Sequence, residues 1–220
     1  MKPHKLITKT NSIIHADIIQ RSDEWHQIRL GRIGGTDAEA LLVKGKSNNG
    51  LGTGAMSILY KKLYEIITGL PADEEKFLSY AMQRGMDLEP YAVKEYEAIK
   101  MVEVKPIGYV SFAEFFGYSP DGFVDEDGLI EVKCPQGPEY MRMISGGDIQ
   151  PGYIAQMQWG MLLTGRDWCD FIVYNPEVKQ KPIMIQRVER DETKIELLQD
   201  AMRNYLDEME ARLEYIKTNL

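Results

Sequence analysis

The 220-residue chain carries 26 Lys and Arg against 34 Asp and Glu, a formal charge of −8, and 44% of it is hydrophobic. That suits one domain over residues 1–220, a core at about 24–190 and a C-terminal amphipathic helix at 191–217, and no run reaches the roughly 20 apolar residues of a membrane span. The polar, basic Met1–Thr10 is no signal sequence, and two cysteines, Cys134 and Cys169, make neither a disulfide framework nor a Cys-x-x-Cys site, which together point to the cytoplasm.

In chain order, Ser22 as a cap with Asp23 and Glu24 behind it predicts a helix over 22–30, with Trp25, Ile28 and Leu30 on its apolar side. Gly31–Gly35 breaks it, and Thr36-Asp37-Ala38-Glu39 matches a capping box opening a second helix through Val43. Residues 44–54 read as a Gly/Asn loop with two lysines, and 55–68 as a helix stopped near Gly69-Leu70-Pro71. Residues 74–99 have a helical pattern, with Phe77, Leu78, Ala81, Leu88, Tyr91, Ala92, Tyr96 and Ile99 as its apolar positions. Pro90 predicts either a kink or a new helix near Asp87. From Val102 to Val124 the chain turns to strands, and 128–134 is a further strand. Tyr153–Leu163 reads as a helix begun by Pro151, 169–174 and 183–188 as strands, and 191–217 as the long amphipathic helix. This order predicts an α/β fold, a mixed central sheet flanked by helices.

The chemistry concentrates in Ser119-Pro120-Asp121-Gly122 and, ten residues past the aspartate, Glu131-Val132-Lys133. Alternate strand residues share a face, so Glu131 and Lys133 point together while Val132 turns into a core. Asp121, near a Pro-Gly turn, brings a second carboxylate beside Glu131. Two hard oxygen ligands suit Mg²⁺ or Mn²⁺, and a neighbouring lysine orients or deprotonates the attacking water. Leu129, Ile130, Val132 and Cys134 make the strand apolar on both faces and hence buried. A buried Glu131 or Lys133 then needs a partner or a cation. Charge is uneven: residues 1–62 hold ten Lys/Arg against five Asp/Glu, and 189–220 hold five against nine. A local basic surface for phosphates therefore coexists with an acidic face.

Five segments in order carry a resemblance: Glu24-Trp25-His26-Gln27-Ile28-Arg29-Leu30-Gly31, Arg84-Gly85-Met86-Asp87-Leu88-Glu89, Ser119-Pro120-Asp121-Gly122, Glu131-Val132-Lys133-Cys134-Pro135 and Tyr153-Ile154-Ala155-Gln156-Met157-Gln158. From about Trp25 to Gly165 the chain resembles the λ-exonuclease/YqaJ group of phage-type recombination exonucleases, within the PD-(D/E)xK nuclease superfamily with its restriction-endonuclease-like core. The resemblance implies Asp121, Glu131 and the backbone carbonyl of Val132 as metal ligands. It implies Glu89 as the carboxylate for a second metal, Lys133 as the residue positioning the nucleophilic water, and Gln156 as a polar support. Two metals about 4 Å apart can stabilise both the attacking and the leaving oxygen. The resemblance also makes Arg29 the ligand of a terminal 5′-phosphate, with Thr36 and Ser119 in the same pocket and Lys46 as a basic DNA contact on the loop. The helix N-terminus opened by Thr36 would add N–H groups for the anion.

What the resemblance implies as a whole is a 5′→3′ exonuclease on double-stranded DNA ends that leaves a 3′ single-stranded tail. It further implies two Mg²⁺ (or Mn²⁺) per active site, a homotrimeric ring and a single-strand annealing partner. Other readings stay open. A structure-specific endonuclease would use the same core, and a catalytically silent DNA-binding module would keep the fold without turnover. An iron–sulfur exonuclease would need four cysteines, against two here. Blander roles are open as well: Arg29 paired with Asp23 or Glu24, Glu89 solvated, Gln156 and Gln158 facing solvent, and Trp25, Trp159 and Trp168 in cores or interfaces.

Overall fold

The computed structural model describes residues 11–46, 49–72 and 79–219. In chain order its elements are β1 (Ser12–His15), α1 (Asp23–Arg29), a 3-10 turn at Gly35–Asp37, α2 (Ala38–Leu42), α3 (Thr53–Thr68), α4 (Tyr80–Lys100), β2 (Val104–Lys105), β3 (Tyr109–Phe112), β4 (Phe116–Tyr118), β5 (Gly122–Val124), β6 (Gly128–Lys133), α5 (Gly137–Ile144), α6 (Pro151–Thr164), β7 (Trp168–Tyr174), β8 (Ile183–Glu189) and α7 (Glu192–Asn219). The strands form a five-stranded sheet, β2-β5-β6-β7-β8, and a three-stranded sheet, β1-β3-β4. Only β6 and β7 run parallel within the larger sheet, because α5 and α6 form the crossover between them. The larger sheet is thus the expected mixed sheet flanked by helices. The smaller sheet, β1 and α5 are additions that the sequence pattern did not show.

Helix α6 lies in the main core. Met157, Trp159, Met161, Leu162 and Leu163 are all buried, so the helix is apolar almost all round. Gly160 on this helix gives room for Tyr118, since a Cβ there would lie 2.6 Å from the tyrosine Cζ. The long C-terminal helix α7 buries Ile195, Leu198, Met202, Tyr205, Leu206, Met209 and Leu213, the face expected from its 3.6-residue period. On the other side of the larger sheet, Ala92 and Tyr96 of α4 pack with Val104, Val124, Ile130, Val132 and Ile172.

Helix α4 departs from expectation. It starts at Tyr80, capped by Ser79 accepting the Met82 N–H at 3.2 Å, and runs unbroken through Pro90. Phe77 and Leu78 lie outside the described residues. Pro90 sits on the exposed flank, where water can serve the carbonyl one turn back that a proline cannot bond. Tyr91 and Ile99 are exposed rather than packed; the buried face is Arg84, Ala92 and Tyr96, spaced by fours or multiples of four.

Two polar anchors set the position of α4. Tyr96 Oη donates to Asp170 at 2.8 Å, and Arg187 donates to both oxygens of Asp170 at 2.8 and 2.9 Å while lying 3.5 Å from the centre of the Trp168 ring. Nearer the helix start, the buried Arg84 donates to the carbonyls of Cys134 (2.8 Å) and Pro135 (3.2 Å) and to Asn175 Oδ1 (3.1 Å). Those acceptors are the residues just after β6 and β7, so one guanidinium ties α4 to the ends of the two parallel strands. Arg84→Ala leaves the Cys134 carbonyl unserved and strips one of two donors from Pro135 O and from Asn175 Oδ1, which keep the Asn175 amide and the Glu177 N–H, at a cost of about 3 kcal/mol. We expect its thermal midpoint to fall by roughly 6–12 °C; a loss under about 2 °C would show the clamp to be idle.

Candidate active site

The antiparallel pairing of β5 with β6 sets Gly122 opposite Ile130. Asp121 is one residue before Gly122 and Glu131 one after Ile130, so the two carboxylates meet across the ladder. Strand register brings them together, rather than the Pro-Gly turn alone. Val132, with Ile130 and Ile172, points into the opposite cluster as expected, and its N–H donates to Asp121 Oδ2 at 2.7 Å. Glu131 is 1% exposed. Its Oε1 accepts from Lys133 Nζ at 2.5 Å, while its Oε2 is buried without a hydrogen-bond partner. Tyr153 of α6 lies beneath the lysine, its ring centre 5.1 Å from Nζ.

The electrostatics follow. Burial, then the charge of Glu131, pushes the Asp121 carboxyl well above the usual range, against the pull of Lys133. Burial draws the Lys133 ammonium down, but the charges of Glu131 and Asp121 outweigh it and the net shift is upward. Lys133 is therefore held protonated and suited to orienting an oxygen rather than removing its proton. A carboxylate oxygen with no donor beside a second carboxylate that resists ionisation fits a hard divalent cation. Among the described residues no cluster of three or more Asp, Glu, His or Cys converges. Glu89 is near enough for its charge to raise Asp121, yet its Oε2 is taken by Arg21 Nη2 at 3.0 Å.

A second polar feature adjoins the first. Ile33 bridges to Phe116, its N–H donating to Phe115 O at 2.8 Å and its carbonyl accepting from Gly117 at 2.9 Å. This lays the 29–35 segment along β4 and beside Ser119. Gly31 makes the turn with φ +73, and its N–H donates to the buried Glu65 at 2.9 Å. The result is a small cavity of about 80 Å³ lined by Arg29, Arg32, Lys62, Tyr109, Tyr118, Ser119, Gln156 and the Gly34–Asp37 turn. Arg29 lies 3.9 Å over the centre of the Trp25 ring and donates to Ser119 Oγ at 3.1 Å; Trp25 Nε1 donates to the same oxygen at 3.0 Å. With two donors bound, the Ser119 hydroxyl keeps its own hydrogen for a ligand. Burial lowers the Arg29 pKa, and among the described residues no carboxylate pairs with it. Arg32 Nε and Tyr118 Oη are buried without partners. Lys62 is already paired with Glu65 at 2.8 Å, so the feature that suits an anion is the desolvated Arg29 with the unserved Arg32 Nε and Tyr118 Oη around one small space.

Several expectations need correction. Thr36 lines the cavity but caps no helix: it is exposed in the 3-10 turn, which Asp37 closes by accepting the Gly34 N–H at 3.1 Å. The expected helix N-terminus is only this short turn and the five-residue α2. Gln156 lines the anion cavity and, among the described residues, makes no hydrogen bond to Asp121, Glu131 or Lys133. Gln158 is buried, bonding Glu189 O and the Asp191 N–H rather than solvent. Trp25 builds the site rather than a core. Lys46 is exposed on its loop and lines neither feature. The sequence reading overlooked Arg32, Lys62, Tyr109 and Arg21; the one available signal was Arg29 and Arg32 three apart around a glycine in an acidic chain. The larger cavity, about 610 Å³ between α5, α6 and β8, contains none of these residues.

A family model described as a YqaJ-like viral recombinase domain matches residues 24–167. The chain is similar to an alkaline exonuclease (LHK-Exo) from Laribacter hongkongensis, at 32% identity over 90% of this chain and 97% of that one, with a TM-score of 0.77. The same protein in complex with dAMP matches at 32% identity and equal coverage, with a TM-score of 0.79. A phage related exonuclease from Haemophilus somnus shares the fold at 18% identity over 84% and 96% of the two chains, with a TM-score of 0.64. No curated protein matches.

Asp121 supplies a stability test. A carboxyl whose folded pKa is raised favours folding only at acid pH, and that contribution is lost as pH rises from the usual aspartate range through the raised value. Asp121→Asn, which still accepts the Val132 N–H, should therefore melt with wild type at acid pH in EDTA. It should melt above wild type at pH 8, by about 2–4 °C per kcal/mol relieved. A lower midpoint at pH 8 would refute the repulsion inferred between Asp121 and Glu131.

Proposed function

The chain belongs to the YqaJ-like viral recombinase family, and on that footing we propose that it is a metal-dependent deoxyribonuclease, degrading one strand of duplex DNA from its 5′ end. The product would carry a 3′ single-stranded tail for recombination by strand annealing. One observation carries this reading. The anion cavity and the carboxylate pair are joined by Ser119-Pro120-Asp121, with the serine in the first and the aspartate in the second. Two residues of chain span at most about 7 Å between Cα atoms, on the scale of neighbouring phosphates along one strand. A terminal phosphate gripped by Arg29 and Ser119 would thus set the next phosphodiester beside Asp121 and Glu131. The Laribacter enzyme's complex with dAMP supports a nucleotide monophosphate as product.

Asp121, Glu131 and the Val132 carbonyl would hold one divalent cation, Mg²⁺ or Mn²⁺, and Glu89 would serve a second. Bound there, such cations supply positive charge to the reacting phosphate and acidify water. The remaining work falls to the chain. Lys133, kept as an ammonium by Glu131, orients the attacking oxygen and offers charge to the phosphoryl group. Arg29, held by Trp25 and Ser119, gives its guanidinium to the terminal phosphate, and Arg32, Lys62 and Tyr109 line the same cavity. Thr36 and Gln156 shape its wall. We extend the proposal to a homotrimeric ring around the duplex, with an annealing protein as partner. A closed ring keeps its substrate between cuts. An endonuclease on the same core is the second reading, distinguished by what it does to DNA without ends.

Linear duplex labelled at the 5′ or the 3′ end of one strand should lose label progressively from the 5′ end in Mg²⁺. A covalently closed circle should stay intact and EDTA should stop the reaction; a cut circle would favour the endonuclease. Lys133→Ala should slow cleavage by about 10²–10³-fold with DNA binding retained. Arg29→Ala should reduce the preference for 5′-phosphate over 5′-hydroxyl ends by about 10–100-fold. Equal wild-type rates on both ends would sink the assignment of Arg29.

A further inference from the structure

Arg21 sits in the left-handed region, with φ 71, immediately before the Ser22 cap of α1. A glycine takes this conformation without strain, whereas a residue with a side chain is strained there. The strained position is also firmly placed. The preceding Gln20 side chain donates to Ile107 O at 2.9 Å and to Pro120 O at 2.8 Å, the carbonyl just before Asp121. From this strap the Arg21 guanidinium reaches Glu89, Nη2 to Oε2 at 3.0 Å. The contact is a single bond rather than a two-pronged fork, between side chains 44% and 28% exposed. Such a pair is weak and exchangeable. It nonetheless places one positive charge on the carboxylate that the nuclease reading reserves for a cation.

We propose that Arg21 is an exchangeable counter-ion of Glu89. It holds that carboxylate in the absence of a cation. When a divalent cation takes Glu89, the freed guanidinium moves to a phosphate oxygen of the bound strand. The inference rests on the nuclease reading above. Its consequence is coupling: without DNA, Arg21 competes with the cation, and with DNA present the displaced arginine has somewhere to go. Cation and DNA then assist each other's binding, by the same factor in each direction. Arg21 is in this sense a positioning residue for Glu89 and a contact for nucleic acid.

The test uses Mn²⁺ calorimetry on the full chain without DNA, comparing wild type with Arg21→Gly and Arg21→Gln. Glycine relieves the backbone and removes the charge; glutamine removes the charge alone. Both should tighten the weaker Mn²⁺ site by about three- to five-fold, the scale of a half-exposed ion pair. In a cleavage-deficient Lys133→Ala background, removal of Arg21 should weaken binding to a 5′-phosphorylated duplex end in Mn²⁺. It should also make the salt dependence of that binding shallower by about one, with affinity in EDTA unchanged. Identical Mn²⁺ isotherms in all three proteins overturn the proposal. So does tightening by glycine but not by glutamine, which would assign the effect to backbone relief. A wild type that binds no Mn²⁺ overturns the nuclease reading instead, and this inference with it.

Discussion

Two carboxyl groups are forced to face each other across a hydrogen-bonded ladder, where both cannot ionise without repulsion. The ladder is backbone chemistry, so the repulsion between Asp121 and Glu131 cannot be relaxed by a side-chain rotation without leaving a polar atom stranded. Much else in the structure manages that conflict. Lys133 answers one oxygen of Glu131, the Val132 N–H answers one of Asp121, and Tyr153 supports the lysine from below. What remains is one glutamate oxygen with no donor and an aspartate reluctant to ionise. In the proposed reading a cation would settle both at once, removing the repulsion and serving the orphaned oxygen.

The large-scale order was legible because it rests on periodicity. The 3.6-residue pattern of Ile195, Leu198, Met202 and Tyr205 and the apolar run around Glu131 each have a single structural solution. The carboxylate pair was legible too, since strand alternation fixes which side chains share a face. The polar architecture behind it was not. Arg84 reads as a surface residue of an amphipathic helix until β6 and β7 are known to end against it. Pro90 reads as a kink or a fresh start, and of the two the fresh start is excluded: one helix runs through it between the anchors at Arg84 and Tyr96. Thr36-x-x-Glu39 carries the local signature of a cap, but Asp37, one residue later, closes a tighter turn first. Trp25 has the composition of a core residue and the position of a site residue, a distinction only tertiary contact makes.

The anion cavity shows how distant segments share one task. Its cations come from the end of α1, the turn after it and α3, the Ser119 hydroxyl from just past β4, and its amide from α6. None of these segments forms the cavity alone. The bridge from Ile33 to β4 brings the arginines alongside Ser119, and the positive-φ turn at Gly31 sends the chain in that direction.

The two sheets meet where the two halves of the site meet. The last strand of the smaller sheet ends at Tyr118 and the chain rejoins the larger sheet at Gly122, with Pro120 between them. Proline has one fixed backbone torsion, and the Pro120 carbonyl is itself held by Gln20. The joint is stiff at its narrowest point. Ser119 and Asp121 thus flank a residue with little backbone freedom, and the distance between them is short and fixed. Whatever sits in the cavity is thereby held at a set distance from whatever sits between the carboxylates, as two marks on one ruler are.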